Sequence, residues 1–368
     1  MRVLVYGASG EIYGGIESFL MTMNEHMSRD CIFDYVIVGE KCIHTERIQA
    51  RGGRIYMVTS YKKDPFRFII DSWKTAKNAR KDHDTAYFNL FSMCHITAVF
   101  MSKVLNYRII LHAHNNDIPN KSKAYRMLHR FCRWLLSGMK CTRFTNSEES
   151  SVFMFGRKFS GENQAELIYN AIDVKKFRFS PEVREKKRSE LNINDKFTVG
   201  FAGRLSAQKN TNFLVDIFYE IHKQVPEAVF LVAGEGEKRP EMEKRVKGLG
   251  FSEQVIFLGR RTDINEIYQA MDCFVLPSLF EGLGIVLVEA QASGLHSFAS
   301  ADVIPPIVQM SEKILYFIPL DLSARCWAEK ILEKSRIDTD RCAWNDVVED
   351  SSFNILKEAI RLERRLQV

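Results

Sequence analysis

The sequence predicts an α/β protein built from two doubly wound domains, each with a parallel sheet. The chain has 368 residues, which is more than one ordinary core holds and suits two domains. Short apolar runs alternate with amphipathic helical patterns along most of the chain. One polar and charged stretch, residues 174–196, interrupts this alternation, which then starts again. These observations together favour two successive domains over one large sheet.

The first half of the chain alternates from its second residue onward. Its first apolar run, RVLVYG, precedes an amphipathic helix predicted over 14–27, and another helix is predicted over 66–81. Because strands separated by helices need crossover connections, these strands should lie parallel in one sheet. The strands predicted in this half are 2–7, 33–40, 54–60, 85–90, 108–115, 141–147 and 166–173.

The second half repeats the pattern after the stretch 174–196, which we interpret as a linker with a short helix. We therefore place an N-terminal domain at 1–175 and a C-terminal domain at 176–345, facing each other across a cleft. A last amphipathic segment, 346–368, is long enough for one helix that could cross back onto the first domain. The predicted strands here are 197–203, 228–236, 254–259, 272–278, 294–300 and 314–320, and the helices are 211–224, 239–249, 263–271, 284–293 and 323–335.

Composition excludes several classes of protein. Hydrophobic residues make up 46% of the chain and charged residues 27%, so intrinsic disorder is excluded. The net charge of +6 suits phosphate-bearing ligands or an anionic membrane surface. With no zinc-finger spacing and no basic run interleaved with aromatic residues, we expect no nucleic-acid partner. The eight cysteines contain no Cys-x-x-Cys pair, which is typical of a reducing compartment. With no long apolar run and no signal-peptide pattern, we expect a cytoplasmic protein, soluble or peripheral at the inner face of the cell membrane.

The strongest candidate site is a glycine-rich loop between a predicted strand and helix, within PSLFEGLGIVLVEAQASG (277–294). Glycines let backbone amides approach a ligand closely, and the helix N-terminus favours an anion. The two carboxylates of this segment suit hydrogen bonds from sugar hydroxyls. The alternative is an ordinary turn with two solvated glutamates. The candidate ligand-contacting residues are Glu281, Gly282, Leu283, Gly284 and Glu289.

A second candidate cluster lies in GFAGRLSAQKN (200–210), after another predicted strand. Arg204 and Lys209 stand five residues apart in a loop before a helix. A guanidinium fork and an ammonium point charge suit the diphosphate of a nucleotide. The alternative for such a pair is a charged surface loop without a ligand.

Together the two clusters resemble glycosyltransferase family 4, whose members are retaining enzymes of the GT-B fold, and in particular bacterial surface and exopolysaccharide enzymes. The family's G-R-x4-K loop matches Gly203, Arg204 and Lys209, and its Glu-x7-Glu motif matches Glu281 and Glu289. The likeness is close over 166–300 and looser before it. It implies a nucleoside-diphosphate sugar donor, with a UDP-sugar favoured, and a hydroxyl acceptor on a glycan or lipid-linked molecule. It also implies retention of configuration and no metal or other cofactor.

The same resemblance implies a role for each matching residue. Arg204 and Lys209 would bind the donor diphosphate, and Glu281 would contact the donor sugar. Glu289 would bind the ribose hydroxyls, and the strand end around Phe257–Arg261 would hold the base.

Two features of the first half resemble the family less tightly. Gly14 and Gly15 follow the first strand and resemble a glycine-rich loop near the diphosphate and the acceptor. The run HAHN places His112 and His114 on one side of a strand end. The family has a functional histidine near this strand end, close to the transferred sugar, which we place at His114 with His112 as the alternate. A structural histidine, or half of a metal site, is the alternative for either.

The sequence also departs from the family pattern. His296 stands where the family commonly has proline, and Asp302–Pro306 replaces its usual Gly-Gly. These changes affect the segment that lies beside the donor sugar in relatives.

Three other functions remain open from the residues alone. The same fold could serve a sugar-nucleotide epimerase, a glycan phosphorylase or, less readily, a non-catalytic sugar-nucleotide-binding subunit.

The segment 121–144 carries basic residues with an aromatic and apolar stripe that includes Tyr125, Leu128, Phe131, Trp134 and Leu135. This stripe could dock on an anionic membrane surface or simply pack on the sheet, and packing is the more ordinary outcome.

Overall fold

The computed structural model describes residues 1–11, 14–94, 96–115, 118, 122–159, 165–337 and 340–367. The chain divides into two compact units. Unit 1 comprises Met1–Ala171 and Ile355–Val368, and unit 2 comprises Ile172–Asn354. The second chain segment of unit 1 therefore follows the whole of unit 2 in sequence.

Unit 1 alternates strands and helices as the sequence predicts. Among its described residues, parallel strands form one sheet in the order β3-β2-β1-β4-β5-β6-β7. Its elements up to residue 171 are β1 (Arg2–Ser9), α1 (Gly15–His26), β2 (Ile32–Val38), α2 (Thr45–Ala50), β3 (Ile55–Val58), α3 (Pro65–Ala79), β4 (Thr85–Leu90), α4 (Thr97–Val104), β5 (Arg108–Ala113), α5 (Lys123–Leu136), β6 (Thr142–Thr145), α6 (Glu148–Phe155) and β7 (Glu166–Leu167).

Unit 2 repeats this architecture with parallel strands in the order β10-β9-β8-β11-β12-β13, among the residues that the structure describes. Its core is rich in aromatic side chains, with Phe218 stacked on Phe230 at 4.8 Å and Trp327 fully buried. Its elements are α7 (Pro181–Glu190), β8 (Thr198–Ala202), α8 (Thr211–Gln224), β9 (Val229–Ala233), α9 (Arg239–Leu249), β10 (Val255–Gly259), α10 (Ile264–Ala270), β11 (Cys273–Leu276), α11 (Ile285–Ala292), β12 (His296–Ser300), β13 (Leu315–Ile318), α12 (Ala324–Ser335) and α13 (Arg341–Asp350).

The last helix, α14 (Ile355–Gln367), packs in unit 1 beside α1. Its apolar side chains Ile355, Ala359, Leu362 and Leu366 join a buried cluster that includes residues of α1 and Val3, Val5 and Ala8 of β1. Leu4 and Tyr6 of β1 instead join a second cluster with α3, α4 and α5. The two clusters lie on opposite faces of the sheet, because successive side chains of a strand point to opposite sides.

The sequence-based prediction of one helix over 346–368 is wrong. Two helices, α13 and α14, flank a break at residues 351–354. At this break Ile172 N donates to the Phe353 carbonyl at 2.9 Å, and Ile172 pairs with Asn354 in a parallel bridge. The backbone here bonds to another segment of unit 2 instead of continuing the helical ladder.

The stretch 174–196 is also more ordered than the predicted linker. It contains α7, which packs against α10 within unit 2. The ammonium of Lys187 is buried and lies within 3.1 Å of carboxylates on Glu190, Asp263 and Glu266. Some of the charged residues that suggested a linker, such as Lys187, are therefore buried cations that stabilise unit 2. The predicted strand 166–173 is correspondingly short, with only Glu166–Leu167 in the sheet.

The interpretation that the stripe of 121–144 packs on the sheet is wrong for most of its members. In α5, the buried residues are His129, Cys132 and Leu136. The larger apolar side chains face solvent, with Trp134 68% exposed. Lys121 lies outside the described residues. The other exposed apolar members are Met127, Leu128, Phe131 and Leu135.

Candidate active site

The candidate site of unit 2 lies where its sheet changes direction. Strand β8 has β9 on one side and β11 on the other, so the chain winds outward in both directions from it. In doubly wound sheets, ligands bind beyond the carboxyl ends of the strands at such a switch point. The loops that follow β8 and β11, residues 203–210 and 277–284, contain both sequence clusters. The fold thus brings together two motifs that are about 70 residues apart in the chain.

Backbone and amide hydrogen bonds join the two loops directly. Leu279 N donates to the Gln208 carbonyl at 2.8 Å, and the Gln208 side-chain amide donates to the Phe280 carbonyl at 2.9 Å. The left-handed Asn210, with φ of 53°, then starts α8. These contacts fix the two loops with respect to each other, so the charged side chains they carry are held at one place.

An ion pair between Lys209 and Glu281 occupies the centre of this region. The Lys209 ammonium contacts the Glu281 carboxylate, and the two side chains are only 12% and 7% exposed. The buried Ser278 hydroxyl donates to the same carboxylate at 2.7 Å. Ser278 is in turn fixed by the Ser300 hydroxyl, which donates to its carbonyl at 2.8 Å. Both predicted residues therefore belong to one pre-arranged polar group.

Arg204 is placed differently from Lys209. Its side chain is 75% exposed and pairs with Glu237 at 3.2 Å on the surface of the unit. An exposed guanidinium keeps a long reach and is weakly held by such a pair. The two predicted cations therefore do not share a partner among the described residues.

Glu289 lies in the second turn of α11 and accepts a hydrogen bond from the Tyr268 hydroxyl at 2.9 Å. Protein atoms surround its carboxyl group although part of the residue reaches the surface. Burial raises the pKa of Glu289 from its ordinary value of 4.5 to about 7, and the hydrogen bond from Tyr268 opposes this rise. Burial likewise raises the pKa of Tyr268 well above its usual range, so the hydroxyl stays a donor.

The glycines before α11 leave open backbone at its N-terminus. Gly284 has φ of 76°, a left-handed conformation that side chains rarely adopt, and it starts the helix. A Cβ atom at Gly282 would meet no atom within 4 Å, so the space beside it is free. Leu283 between them is buried. The first N–H groups of a helix have no acceptor within the helix itself, so the start of α11 suits an anionic ligand.

The strand ends beneath the loops are packed too closely for side chains. A Cβ atom at Gly234 would lie 1.9 Å from the Gly203 carbonyl oxygen. Gly203 N donates to the Ala233 carbonyl at 3.0 Å, and Gly234 N donates to the Gly259 carbonyl at 2.8 Å. The predicted base-binding segment Phe257–Arg261 includes the last residues of β10, the strand at one end of the sheet order. There the Arg239 guanidinium lies 5.6 Å from the centre of the Phe257 ring.

In unit 1, the structure distinguishes the two predicted histidines. His112 is fully buried in β5 and its Nδ1 atom lies 2.6 Å from the Tyr87 hydroxyl. His114 follows the strand and is partly exposed, with its Nε2 atom 2.8 Å from the Asn89 amide oxygen. Burial lowers the pKa of His114 to about 3 and that of His112 well below its usual range. Both imidazoles are therefore neutral, and only His114 reaches a surface.

Gly14 and Gly15 lie at the start of α1, beyond the carboxyl end of β1. The Glu17 carboxylate accepts from Gly14 N at 3.0 Å and from Ser9 N at 2.6 Å, which secures this turn. No atom lies within 4 Å of a Cβ built at Gly15. β1 adjoins both β2 and β4, so this loop too is at a switch point of its sheet.

The two departures from the family pattern have distinct surroundings. His296 is buried in β12, with Nε2 at 3.1 Å from the Ile337 carbonyl, and has a structural environment. Within the segment 302–306, Ile304 is buried and its side chain lies 3.5 Å from a Cβ built at Gly284. The substituted segment thus packs against the start of α11.

Sequence reasoning missed two buried partners, Tyr268 and Ser278. Each contacts a predicted carboxylate but lies in a segment that reads as ordinary helix or strand end. Tyr268 stands 21 residues from Glu289, and no local pattern links them. Ser278 lies three residues before Glu281, and this spacing was the only available signal.

The described residues contain neither a metal-binding cluster nor a membrane-spanning helix. No group of three or more His, Cys, Asp or Glu side chains among them is placed to hold a metal ion. Within the same part of the chain, no helix has both the length and the apolar character needed to cross a membrane.

Comparisons with known proteins agree with this geometry. Residues 183–333 match the family model described as Glycosyl transferases group 1. EpsF of Bacillus subtilis (strain 168), a named glycosyltransferase, is 27% identical over 88% of this chain and 85% of its own length. The UDP-Gal:alpha-D-GlcNAc-diphosphoundecaprenol alpha-1,3-galactosyltransferase of Escherichia coli is 31% identical over 36% of each chain.

Solved structures share the fold across the whole chain. Anabaena Alr3699/HepE in complex with UDP superposes with a TM-score of 0.82, at 18% identity and full coverage of both chains. The predicted pair of doubly wound domains, the GT-B architecture, is confirmed. Named transferases among the relatives favour transfer over the epimerase and phosphorylase alternatives.

Proposed function

We propose that this glycosyltransferase, whose residues 183–333 match the group 1 family, moves a sugar from a UDP-sugar to a hydroxyl group of a glycan or lipid-linked acceptor. The relatives support the choice of substrates: one is named for a UDP-galactose donor and a diphosphoundecaprenol-linked acceptor. A synthesis of cell-envelope polysaccharide or exopolysaccharide fits this pair of substrates.

One observation carries the proposal. The buried Lys209–Glu281 pair stands at the switch point of unit 2, in the loop whose Gly282 and Gly284 precede the N-terminus of α11. Cation, carboxylate and free backbone N–H groups suit a diphosphate with a sugar on one side. Glu289, one turn further along α11, offers a carboxylate for the ribose diol.

The chemistry follows from these positions. The bond between the sugar anomeric carbon and the diphosphate oxygen breaks, and the acceptor oxygen bonds to the same carbon. The acceptor proton passes to the departing diphosphate. Lys209, the N-terminus of α11 and Arg204 stabilise the negative charge that grows on the diphosphate, which is the largest protein contribution. We propose that configuration is retained and that no metal ion is needed; turnover lost in EDTA and restored by Mg²⁺ or Mn²⁺ would contradict the latter.

His114 is the residue of unit 1 that we assign to the transferred sugar. The Asn89 amide oxygen accepts from Nε2, so Nε2 carries the proton of the neutral ring. Nδ1 is then an acceptor, and it is buried with no hydrogen-bond partner among the described residues. A sugar hydroxyl that displaces the atoms covering Nδ1 would donate to it. His112, fully buried against Tyr87, has no comparable access.

Substitution of four residues of unit 2 tests the assignment. Lys209→Ala and Arg204→Ala remove charges that face the diphosphate most strongly as it departs, so each should lower kcat/KM about 100-fold. Glu289→Ala should mainly raise the donor KM, because ribose contacts are equal in the ground and transition states. Glu281→Ala should lower kcat while UDP affinity changes little. Steady-state kinetics with calorimetric UDP binding measures all four; normal turnover and affinity in both cation variants would contradict the site.

We propose that unit 1 contacts the membrane through α5. Its outward aromatic and apolar side chains lie among Lys123, Arg126 and Arg130, and the helix contains no acidic residue. Such a helix suits the interface of an anionic bilayer.

Vesicle co-sedimentation of the whole protein tests this contact. Phe131→Ser with Trp134→Ser should reduce binding to vesicles that contain phosphatidylglycerol, whereas Leu356→Ser with Ile360→Ser should not. The control pair is exposed and apolar too, but it lies on α14, on the opposite face of the unit 1 sheet. Equal binding of the parent protein to neutral and anionic vesicles would contradict electrostatic docking.

A further inference from the structure

Helices α10 and α11 of unit 2 are joined through a buried tyrosine. Tyr268 of α10 is fully buried, and its ring centre lies 5.9 Å from that of Phe177 and 5.6 Å from that of Phe274. Its hydroxyl group donates to the Glu289 carboxylate of α11 at 2.9 Å and lies 3.4 Å from the Val286 carbonyl. The one polar atom of this side chain is therefore bound by the first two turns of α11.

A buried arginine fixes the two helices with respect to each other at their C-terminal ends. Arg341 of α13 donates to the Tyr268 carbonyl at 3.3 Å and to the Ser293 carbonyl at 2.9 Å. These carbonyls belong to the last turns of α10 and α11, where a helix leaves its carbonyls without an internal partner. Because one guanidinium binds both ends, Tyr268 cannot move away from α11 without breaking these bonds. The contact between its hydroxyl group and Glu289 is therefore held by helix packing.

This contact uses only one of the two oxygens of Glu289. Tyr268 donates to Oε2, whereas Oε1 has no hydrogen-bond partner among the described residues and is not one of the fully enclosed polar atoms. Side chains of a helix lean towards its N-terminus, so the carboxyl group lies over the turn that precedes Glu289. Oε1 is thus available on the side of α11 that begins at Gly284, where the candidate donor site lies.

No charged side chain of the surrounding elements pairs with Glu289. Glu266 of α10 pairs with Lys187 at 2.9 Å, and Arg341 of α13 binds backbone carbonyls. Lys209, in the loop after β8, contacts another carboxylate. Burial raises the pKa of Glu289 to about 7, and the hydrogen bond from the tyrosine is what opposes this rise. The remaining titratable side chains on 174–177, β12 and α13 are Lys175, Lys176, His296, Cys342, Asp346, Glu349 and Asp350.

A hydroxyl group that donates to a carboxyl group favours its ionised form. Only that form offers both oxygens as acceptors, and ribose hydroxyls can donate to it. Tyr268 itself stays a donor, because burial raises its pKa well above the usual range. The tyrosine therefore fixes the orientation of Glu289 and also favours the protonation state that can accept from a ribose.

We propose that Tyr268 is a positioning residue for the donor nucleotide: its hydroxyl group holds one oxygen of Glu289 so that the other accepts hydrogen bonds from the ribose hydroxyls. The inference rests on the proposed function, in which Glu289 binds the ribose, and it adds a residue that does not touch the donor. Ribose contacts are equal in the ground and transition states, so Tyr268 should affect donor affinity and leave the transfer step unchanged.

Calorimetric binding of UDP to Tyr268→Phe tests this role, because the variant keeps the ring and loses only the hydroxyl group. Affinity should fall at least about fivefold at pH 7 and at most about twofold at pH 9, since the variant Glu289 ionises only at higher pH. Comparison with the parent protein at each pH cancels the ionisation of UDP itself. Tyr316→Phe is the matched control, because it removes a hydroxyl group that donates to the Lys313 carbonyl at 2.6 Å. Unchanged affinity in Tyr268→Phe, or an equal loss at every pH, would overturn the proposal.

Three further measurements follow the effect through Glu289 to the ribose. In the Glu289→Ala background, Tyr268→Phe should change UDP affinity less than about twofold, because no carboxylate remains to be held. At pH 7 the preference for UDP over 2′-deoxy-UDP and 3′-deoxy-UDP should be smaller in Tyr268→Phe than in the parent protein. Steady-state kinetics should show a raised donor KM with kcat within about twofold of the parent value.

The outcomes separate this inference from the proposed function. A full effect of Tyr268→Phe in the Glu289→Ala background, an unchanged preference for UDP, or a loss confined to kcat would overturn the role of Tyr268 alone. If Glu289→Ala bound UDP as tightly as the parent protein, the ribose assignment of the proposed function would be refuted, and the role of Tyr268 with it.

Discussion

The raised pKa of Glu289 is the clearest property of a single residue in the candidate site. With a pKa of about 7, this carboxyl group is half protonated at neutral pH. Ribose hydroxyls would donate to the ionised form, so nucleotide binding would favour loss of the proton. Affinity for UDP should therefore rise about tenfold between pH 6 and pH 8. Calorimetry across this range measures it, with Glu289→Gln as the variant in which the Glu289 contribution disappears and only the ionisation of UDP remains.

The raised pKa of Glu289 also predicts how the free energy of unfolding changes with pH. The folded-state pKa lies above the ordinary value of 4.5, so the folded protein holds this proton more tightly than the unfolded chain. Ionisation therefore costs stability progressively as pH rises from 4.5 through 7. Glu289→Gln should raise the melting temperature relative to the parent protein more at pH 8 than at pH 4.5. A constant difference would contradict the raised pKa.

The Lys209–Glu281 ion pair should also contribute measurably to the free energy of unfolding. Because both side chains are almost buried, Lys209→Met leaves a carboxylate without its cation and should cost about 3 kcal/mol. Adding Glu281→Gln should recover most of this loss. The exposed pair Arg204–Glu237 provides the control, and Arg204→Met should change stability by less than about 1 kcal/mol. Urea unfolding of the four proteins measures these differences, and equal losses at both pairs would contradict the buried ion pair.

At this scale the sequence predicted the charged residues but not their partners. Spacing within one segment placed Lys209 and Glu281 in strand-to-helix loops, and the fold confirms those positions. Their direct contact depends on β8 and β11 being neighbours in the sheet, which no local pattern reveals. The buried Tyr268 and the full burial of His112 likewise depend on packing between distant segments.

Among the elements, strands and helices of the second half were predicted with bounds close to those observed. Their apolar runs are buried on both faces, which gives a strong signal of a parallel sheet. The orientation of α3 and α5 could not be predicted in the same way. Periodicity identifies an apolar stripe but not whether it faces the sheet, and here small residues such as Ala76 and Cys132 occupy the inner face. The helix break before α14 was missed because a long-range backbone pairing causes it.

The contribution of α14 can be tested as an element. Leu362 and Leu366 are fully buried in the cluster that α14 shares with α1 and β1. Leu362→Ala should destabilise unit 1 by about 2–5 kcal/mol, because it removes buried apolar contacts and leaves a cavity. Ile360→Ala, half exposed on the same helix, should cost far less. Denaturant unfolding of both variants measures the difference, and similar losses would contradict the packing of α14 in unit 1.

For the whole molecule, the chain order of the two units has a consequence during synthesis. Unit 1 cannot complete its core until residues 355–367 are available, and these follow all of unit 2. At about 5–20 residues per second, the ribosome adds the intervening 172–354 in roughly 10–40 s. During that interval the apolar face of α1 cannot pack against α14, because α14 has not yet been synthesised. Unit 2, in contrast, is one continuous segment of the chain. The half of the protein that is translated first is therefore the half that finishes folding last.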